Sequence, residues 1–338
     1  MRPAGSAPHV SGGPAPVRRP YSVRRTSTIE TSWPEGWPGP MHMVGNARDT
    51  WQAEMGHNGP GKVLASGWCR IVASPARQIL SLEVEPPIPA AAQLVGVRAG
   101  GQSRAAINAH FPPSERTTPL HLLLDDFAGA SLVAGWAWSQ WREKWGQEVR
   151  ASQQVLSGKA WVMEGVCAGF RPGASSLNPD GTARQDIQSN APVVSLIHPD
   201  DPDGWHTFSE QQGVGARRAR WIDVWQDGTD VCTSAGFQDS ATRPDGGRQA
   251  VHEYRVHARA DKAGLCLKAI EADPRVLPYQ ECPAAAGNIS RLIGMPLADM
   301  RRIVLEQLPG TLGCTHLNDI LRGLADVPAL FHQLETRS

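Results

Sequence analysis

One short pattern is written twice in this chain, and it constrains the fold more than any other feature. The first copy reads Arg24-Arg25-Thr26-Ser27-Thr28-Ile29-Glu30 and the second Arg217-Arg218-Ala219-Arg220-Trp221-Ile222-Asp223. Further along, Pro89-Ala90-Ala91-Ala92 and Leu94-Val95-Gly96 are echoed by Pro283-Ala284-Ala285-Ala286 and Leu292-Ile293-Gly294. Leu120-His121-Leu122 is then echoed by Thr315-His316-Leu317. Three matches in one order at nearly one offset point to a duplicated unit. A chain of 338 residues has room for two such units, each with a core.

The boundaries follow from the pattern. Residues 1–20, rich in Pro, Gly, Ala and Ser, read as a disordered tail without the apolar stretch of a secretory signal. Residues 21–149 form repeat one, 150–213 a connector, and 214–335 repeat two. In repeat two, Ala219–Val224 reads as a strand, and Asp227-Gly228 and Pro244-Asp245-Gly246-Gly247 as hairpin turns. Val251 to Arg259 alternates, with His252, Tyr254, Val256 and Ala258 facing inward and His257 outward. Leu265–Ala272 is a further strand. Helices are expected from Pro283 to about Ile293 with Cys282 as its N-cap, through Met300–Gln307, and from about Thr315 along Leu317, Ile320, Leu321, Leu324 and Val327. Strands followed by helices in each repeat define an α+β pseudodimer of two antiparallel sheets with helices.

Composition excludes several classes. Lysine plus arginine equals aspartate plus glutamate at 33 each, so charge calls for neither nucleic acid nor an anionic membrane. The most apolar stretch, Leu120–Trp138, carries Asp125 and Asp126, which lipid would not tolerate; these adjacent carboxylates read as capping or solvated groups. Six cysteines in this length suit free thiols in a reducing cytoplasm. The expected partner is a small molecule, and the expected state a monomer or a homodimer.

The chemistry-bearing residues concentrate in repeat two. His252, Cys282, Cys314 and His316 fall at element ends, with Cys314 and His316 spaced Cys-x-His at a helix start. A helix N-terminus favours thiolate, the form that binds metal. Two thiolates and two imidazoles suit tetrahedral zinc, and less readily an iron–sulfur centre. Opposite these positions repeat one has Leu64, Ile88, Pro119 and His121, so one site per chain is expected. His252 and His316 are also the candidate acid–base pair. Arg217, Arg218, Trp136 and His206 are weaker substrate-binding candidates, and His198 a second-rank site residue. Trp136, Trp138, Trp141 and Trp145, on a helix expected over Ala128–Trp145, suggest an apolar or aromatic substrate. The set points to a zinc enzyme, a lyase or hydrolase acting on a small carbonyl or carboxylate compound by hydrolysis, hydration or carbon–carbon cleavage. An iron–sulfur or sulfur-transfer scaffold and a structural zinc interaction module are the alternatives.

Gly313-Cys314-Thr315-His316-Leu317-Asn318-Asp319, preceded by Cys282-Pro283 and Leu292-Ile293-Gly294, resembles a bacterial domain family labelled only as of unknown function. The resemblance covers about 214–330 and implies no activity. A more distant likeness is to the NifU/SufE-type scaffold fold, in which cysteines at helix starts bind zinc or assemble iron–sulfur centres. That likeness implies zinc or a cluster on Cys282, Cys314 and His316, with His252 in place of a cysteine.

Overall fold

The computed structural model describes residues 10–53, 61–141 and 162–337. The first half opens with four strands, β1 Ser22–Ser32, β2 Met41–Gln52, β3 Lys62–Ala73 and β4 Ile79–Glu85, followed by α1 Gly101–His110 and α2 Pro119–Ser139. After a two-residue strand β5, Ala191–Pro192, the second half repeats the order with β6 Gly215–Asp227, β7 Asp230–Thr242, β8 Arg248–Asp261 and β9 Leu267–Val276. Three helices close it: α3 Met300–Gln307, α4 Thr315–Gly323 and α5 Val327–Glu335. The chain is therefore α+β, as its element order predicts.

All strands join one antiparallel sheet rather than two. Its order is β4-β3-β2-β1-β6-β7-β8, with β9 and β5 sharing the far edge of β8. The β1–β6 pair at the centre brings the two written patterns together head to tail. Ser27 faces Arg220, and the partners on either side mirror each other: Arg24 faces Asp223 and Glu30 faces Arg217. Each pattern's first arginine is thus ion-paired with the other's terminal acid, Arg24 Nε to Asp223 at 2.5 Å and Arg217 Nε to Glu30 at 2.6 Å.

Side chains alternate across the sheet, so each Arg-Arg pair sends one guanidinium to each face. Arg25 and Arg218 point to the helical face, where α2, α4 and α5 pack. Arg24 and Arg217 point to the other. That second face is covered by residues 10–20 and by residues 196–208 of the connector. Ala15, expected in a tail, is 1% exposed and packs with Leu196, Trp205, Ala219 and Trp221. Arg18 clasps Asp201, and Arg255 Nη2 donates to the carbonyls of Gly12, Gly13 and Pro14. The composition that suggested disorder also suits an extended strap whose backbone polar groups are met by buried side chains.

Under the helices lies a buried ionic layer. Arg25 holds Asp49 and Asp326, Arg218 holds Asp239 and Asp319, Arg220 holds Asp126, and Arg322 holds Asp125. Asp125 and Asp126 are thus buried partners of arginines from the second half, not solvated groups, because the helix that carries them crosses the sheet centre.

A candidate site of two histidines and an aspartate

The sequence places His252 inward on β8, and the structure does so. His316 enters from above, in the first turn of α4, whose N-cap is Cys314. The two imidazoles stack with centroids 3.3 Å apart and planes at 16°. Asp239 of β7 pairs directly across from His252, and its carboxylate lies 3.6 Å from His252 Nδ1. Asp239, His252 and His316 each offer a ligand atom, all within 4.8 Å of one another; among the described residues this is the set of that kind.

Asp239 was not legible beforehand, and the reason is local. A bulge between Asp239 and Ser240 shifts the β7–β8 register by one, so Asp239 faces His252 instead of Val251. The same irregularity recurs between Asp49 and Thr50 in the β2–β3 pair, where Asp49 faces Ala65. Ala65, and not Leu64, therefore occupies the position of His252 in the first half.

Electrostatics set the protonation states. Burial lowers the His252 imidazole, against the pull of Asp239. Burial, reinforced by His252, takes His316 well below the usual histidine range. Burial would raise Asp239, but Arg218 and His252 hold it well below the ordinary carboxylate range. The site thus presents two neutral imidazoles and one carboxylate, the states that divalent metals accept. His252 Nδ1 and His316 Nε2 are both sealed from solvent without a hydrogen-bond partner, although the remainder of His316 is partly exposed. Two such atoms side by side are costly unless something binds them. Arg218 orients the carboxylate, donating from Nε and Nη2 to its two oxygens at 2.8 and 2.9 Å while Nη1 reaches Asp319 at 2.9 Å.

Burial governs the two thiols. Cys282 is the first residue of a 3-10 helix, Cys282–Leu292, whose N-cap is Glu281. Burial drives its thiol well above the ordinary range, with Cys314 and Cys167 adding to the effect. Burial also raises Cys314 despite the N–H groups of Leu317 and His316 and the hydroxyl of Tyr254 beside it. At both cysteines desolvation outweighs the helix terminus and favours the thiol. The connector adds a third: a Cβ on Gly169 would stand 2.7 Å from Cys282 Sγ and 3.8 Å from Cys167 Sγ. Sequence spacing gave no sign of Cys167.

The weaker candidates are dispersed. Arg217 is held by Glu30 and the Ser209 carbonyl and lies over the Phe208 ring. His206 lies on the opposite face of the sheet, between the hydroxyls of Thr26 and Thr28. His198 Nδ1 accepts the Asp200 N–H in a turn. Trp136 packs partly buried against the first-half core, and Trp145 lies outside the described residues.

The fold and site define an α+β protein with a buried two-histidine, one-carboxylate centre in its second half. Residues 216–330, which include all three of these residues, match the model of a family described as "Protein of unknown function (DUF2889)". No curated protein and no solved structure matches the chain. Among the described residues, no helix is long and apolar enough to cross a membrane.

Proposed function

We propose that the protein is a metal-dependent enzyme whose divalent ion, zinc first among the candidates, is held by Asp239, His252 and His316. The observation that carries this reading is the pair of buried, neutral, unpartnered ring nitrogens beside a carboxylate. Three protein ligands leave a position open, and a metal there supplies Lewis acidity toward a carbonyl or a bound water of lowered pKa. The residues around it have separate tasks. Arg218 fixes the carboxylate's orientation, and Asp319 fixes Arg218. Phe237, stacked 6.5 Å from His316, gives the centre an apolar wall. The substrate class that fits is a small apolar or aromatic carbonyl compound, transformed by hydrolysis, hydration or carbon–carbon cleavage. Arg217 and Arg218 are occupied by acids, so neither is a substrate clamp. Six free cysteines suit a reducing cytoplasm.

We infer also that the chain is an internal duplication in which the first half has lost its site. The mirrored strand order, the reciprocal Arg24–Asp223 and Arg217–Glu30 pairs, and the matching bulges after Asp49 and Asp239 support this. Ala65 at the position of His252 removes a ligand from the first half.

Elemental analysis of the purified protein tests the first reading. About one divalent metal per chain is expected in the wild type, none in His252→Ala or His316→Ala, and a full complement in Cys282→Ser. Metal, or iron with sulfide, that survives both histidine changes and vanishes in Cys282→Ser and Cys314→Ser would replace this reading with the scaffold one.

A further inference from the structure

Arg104, in the first turn of α1, reaches from the first half into the ionic layer beside the two histidines. Its Nη2 donates to Asp319 Oδ1 at 2.6 Å, while Arg218 Nη1 donates to Asp319 Oδ2 at 2.9 Å. One carboxylate is thus divided between two guanidiniums, one from each half. Arg218 gives its Nε and Nη2 to Asp239 at 2.8 and 2.9 Å, and Asp239 stands 3.6 Å from His252 Nδ1. The run Arg104–Asp319–Arg218–Asp239 therefore ends on the carboxylate of the candidate centre. α2 closes the run from the side, because a Cβ on Gly129 would overlap Arg218 Nη1 and Asp319 Oδ2. The side chains of Asp319, Arg218 and Asp239 are each 2% exposed, so solvent screens them little.

Each link has a competitor within reach, and this gives Arg104 its task. Arg322 Nη1 stands 3.9 Å from Asp319 Oδ1, the oxygen that Arg104 holds. Asp126 Oδ1 stands 3.9 Å from Arg218 Nη1, the nitrogen that holds Asp319. Without Arg104, Asp319 turns toward Arg322 and Arg218 toward Asp126, and the two-pronged hold on Asp239 loses its plane. Removing such an outer partner of a metal ligand typically weakens metal binding by about 10–100-fold. Arg301 offers a pair of the same kind without that connection. It holds Asp326 at 2.8 Å with 17% of its side chain exposed, but Asp326 leads to Arg25 and Asp49, not to Asp239.

We propose, resting on the metal reading of Asp239, His252 and His316, that Arg104 is a positioning residue for that centre. Through Asp319 and Arg218 it sets the angle of the Asp239 carboxylate, so the first half of the chain fixes part of the ion's affinity. Two readouts on the full chain test this: the zinc dissociation constant from competition with a chelator, and the visible spectrum of bound cobalt(II), which reports coordination geometry. Arg104→Ala and Arg104→Gln should each weaken zinc at least about tenfold and change the cobalt bands. Arg104→Lys, which keeps a donor and a charge for the one oxygen, should return zinc to within about threefold of wild type. Gly129→Ala touches no ligand, yet should weaken zinc by pushing Arg218 off Asp319. Arg301→Ala should leave both readouts at wild-type values. Arg104 is 19% exposed, and Gln keeps most of its stem, so Arg104→Gln reports even if Arg104→Ala does not fold by circular dichroism. Wild-type zinc affinity and cobalt bands in a folded Arg104→Ala or Arg104→Gln chain overturn the role of Arg104 and leave the metal reading standing. An equal loss in Arg301→Ala overturns it too, since any buried ion pair would then serve. A wild type that binds neither ion removes the metal reading itself.

Discussion

At the scale of single residues, the buried arginines decide more than the cysteines. Arg218 has one guanidinium and two buried acids to hold, and its planar fork meets both. Arg218→Ala leaves Asp239 and Asp319 buried without that charge, and a loss of about 3–5 kcal/mol is expected from urea unfolding. Arg218→Lys should recover little of it, since an ammonium cannot serve three oxygens in one plane; full recovery would show that charge alone matters. His121 makes the pH argument. Burial, with Arg301 beside it, lowers its pKa from 6.5 to about 4. The folded state then binds fewer protons than the unfolded chain between those values. Stability is complete above pH 6.5 and declines as pH falls toward 4, by up to about 3 kcal/mol from this residue. His206, lowered to about 4 by burial first and then Arg48, acts in the same direction. His121→Leu removes a ring whose Nδ1 has no partner, so unfolding at pH 7 and pH 5 should differ less than in the wild type. An unchanged difference would rule His121 out as a source of acid lability. The inward His252 could be read from alternation alone, whereas Asp239 could not, because one extra residue in a strand changes every partner beyond it.

At the scale of elements, hairpins and periodicity were readable and helix type was not. Gly228, Gly246 and Gly247 adopt the positive φ that their turns require, and β7–β8 closes where Pro244–Gly247 predicts. α3 spans Met300–Gln307 as the sequence reads. The final stripe is broken instead of continuous: α4 ends at Gly323, a 3-10 turn covers Leu324–Asp326, and α5 begins beside Pro328, which has no N–H to continue the earlier helix. The tryptophan helix starts earlier than expected. Thr118 caps it, accepting the His121 N–H, and Pro119 occupies the first position, a start signal obscured by the apolar run that follows. That start fixes how α2 meets the sheet. A Cβ on Gly67 of β3 would stand 2.5 Å from the Leu120 nitrogen, and backbone cannot yield as a side chain does. Gly67→Ala should therefore cost about 1–3 kcal/mol or more in thermal or urea unfolding. A wild-type midpoint would show that α2 rests less tightly on β3 than this contact requires.

At the scale of the whole molecule, the two written patterns form the centre of the sheet. Sequence matching points to a duplication, but not to the pairing of the two patterns through their first strands, because strand pairing across so long a connection has no local signal. The halves are also interlocked beneath the helices: Arg104 of α1 holds Asp319, and Arg322 holds Asp125 of α2. Residues 190–338 expressed alone would expose the entire edge of β6, an unpaired strand that readily takes another. Since Arg217 and Asp223 stand where Arg24 and Glu30 do about Ser27 and Arg220, a second copy can replace β1, with Arg217 against the partner's Asp223. Light scattering should find this fragment as a homodimer. Arg217→Asp should separate it, and the double change Arg217→Asp with Asp223→Arg should restore it, because the reciprocal pairs are then re-formed with opposite sense. A fragment that is folded by circular dichroism yet monomeric would mean that β6 needs no partner, and the reciprocal pairs would lose their meaning as the trace of an ancestral dimer.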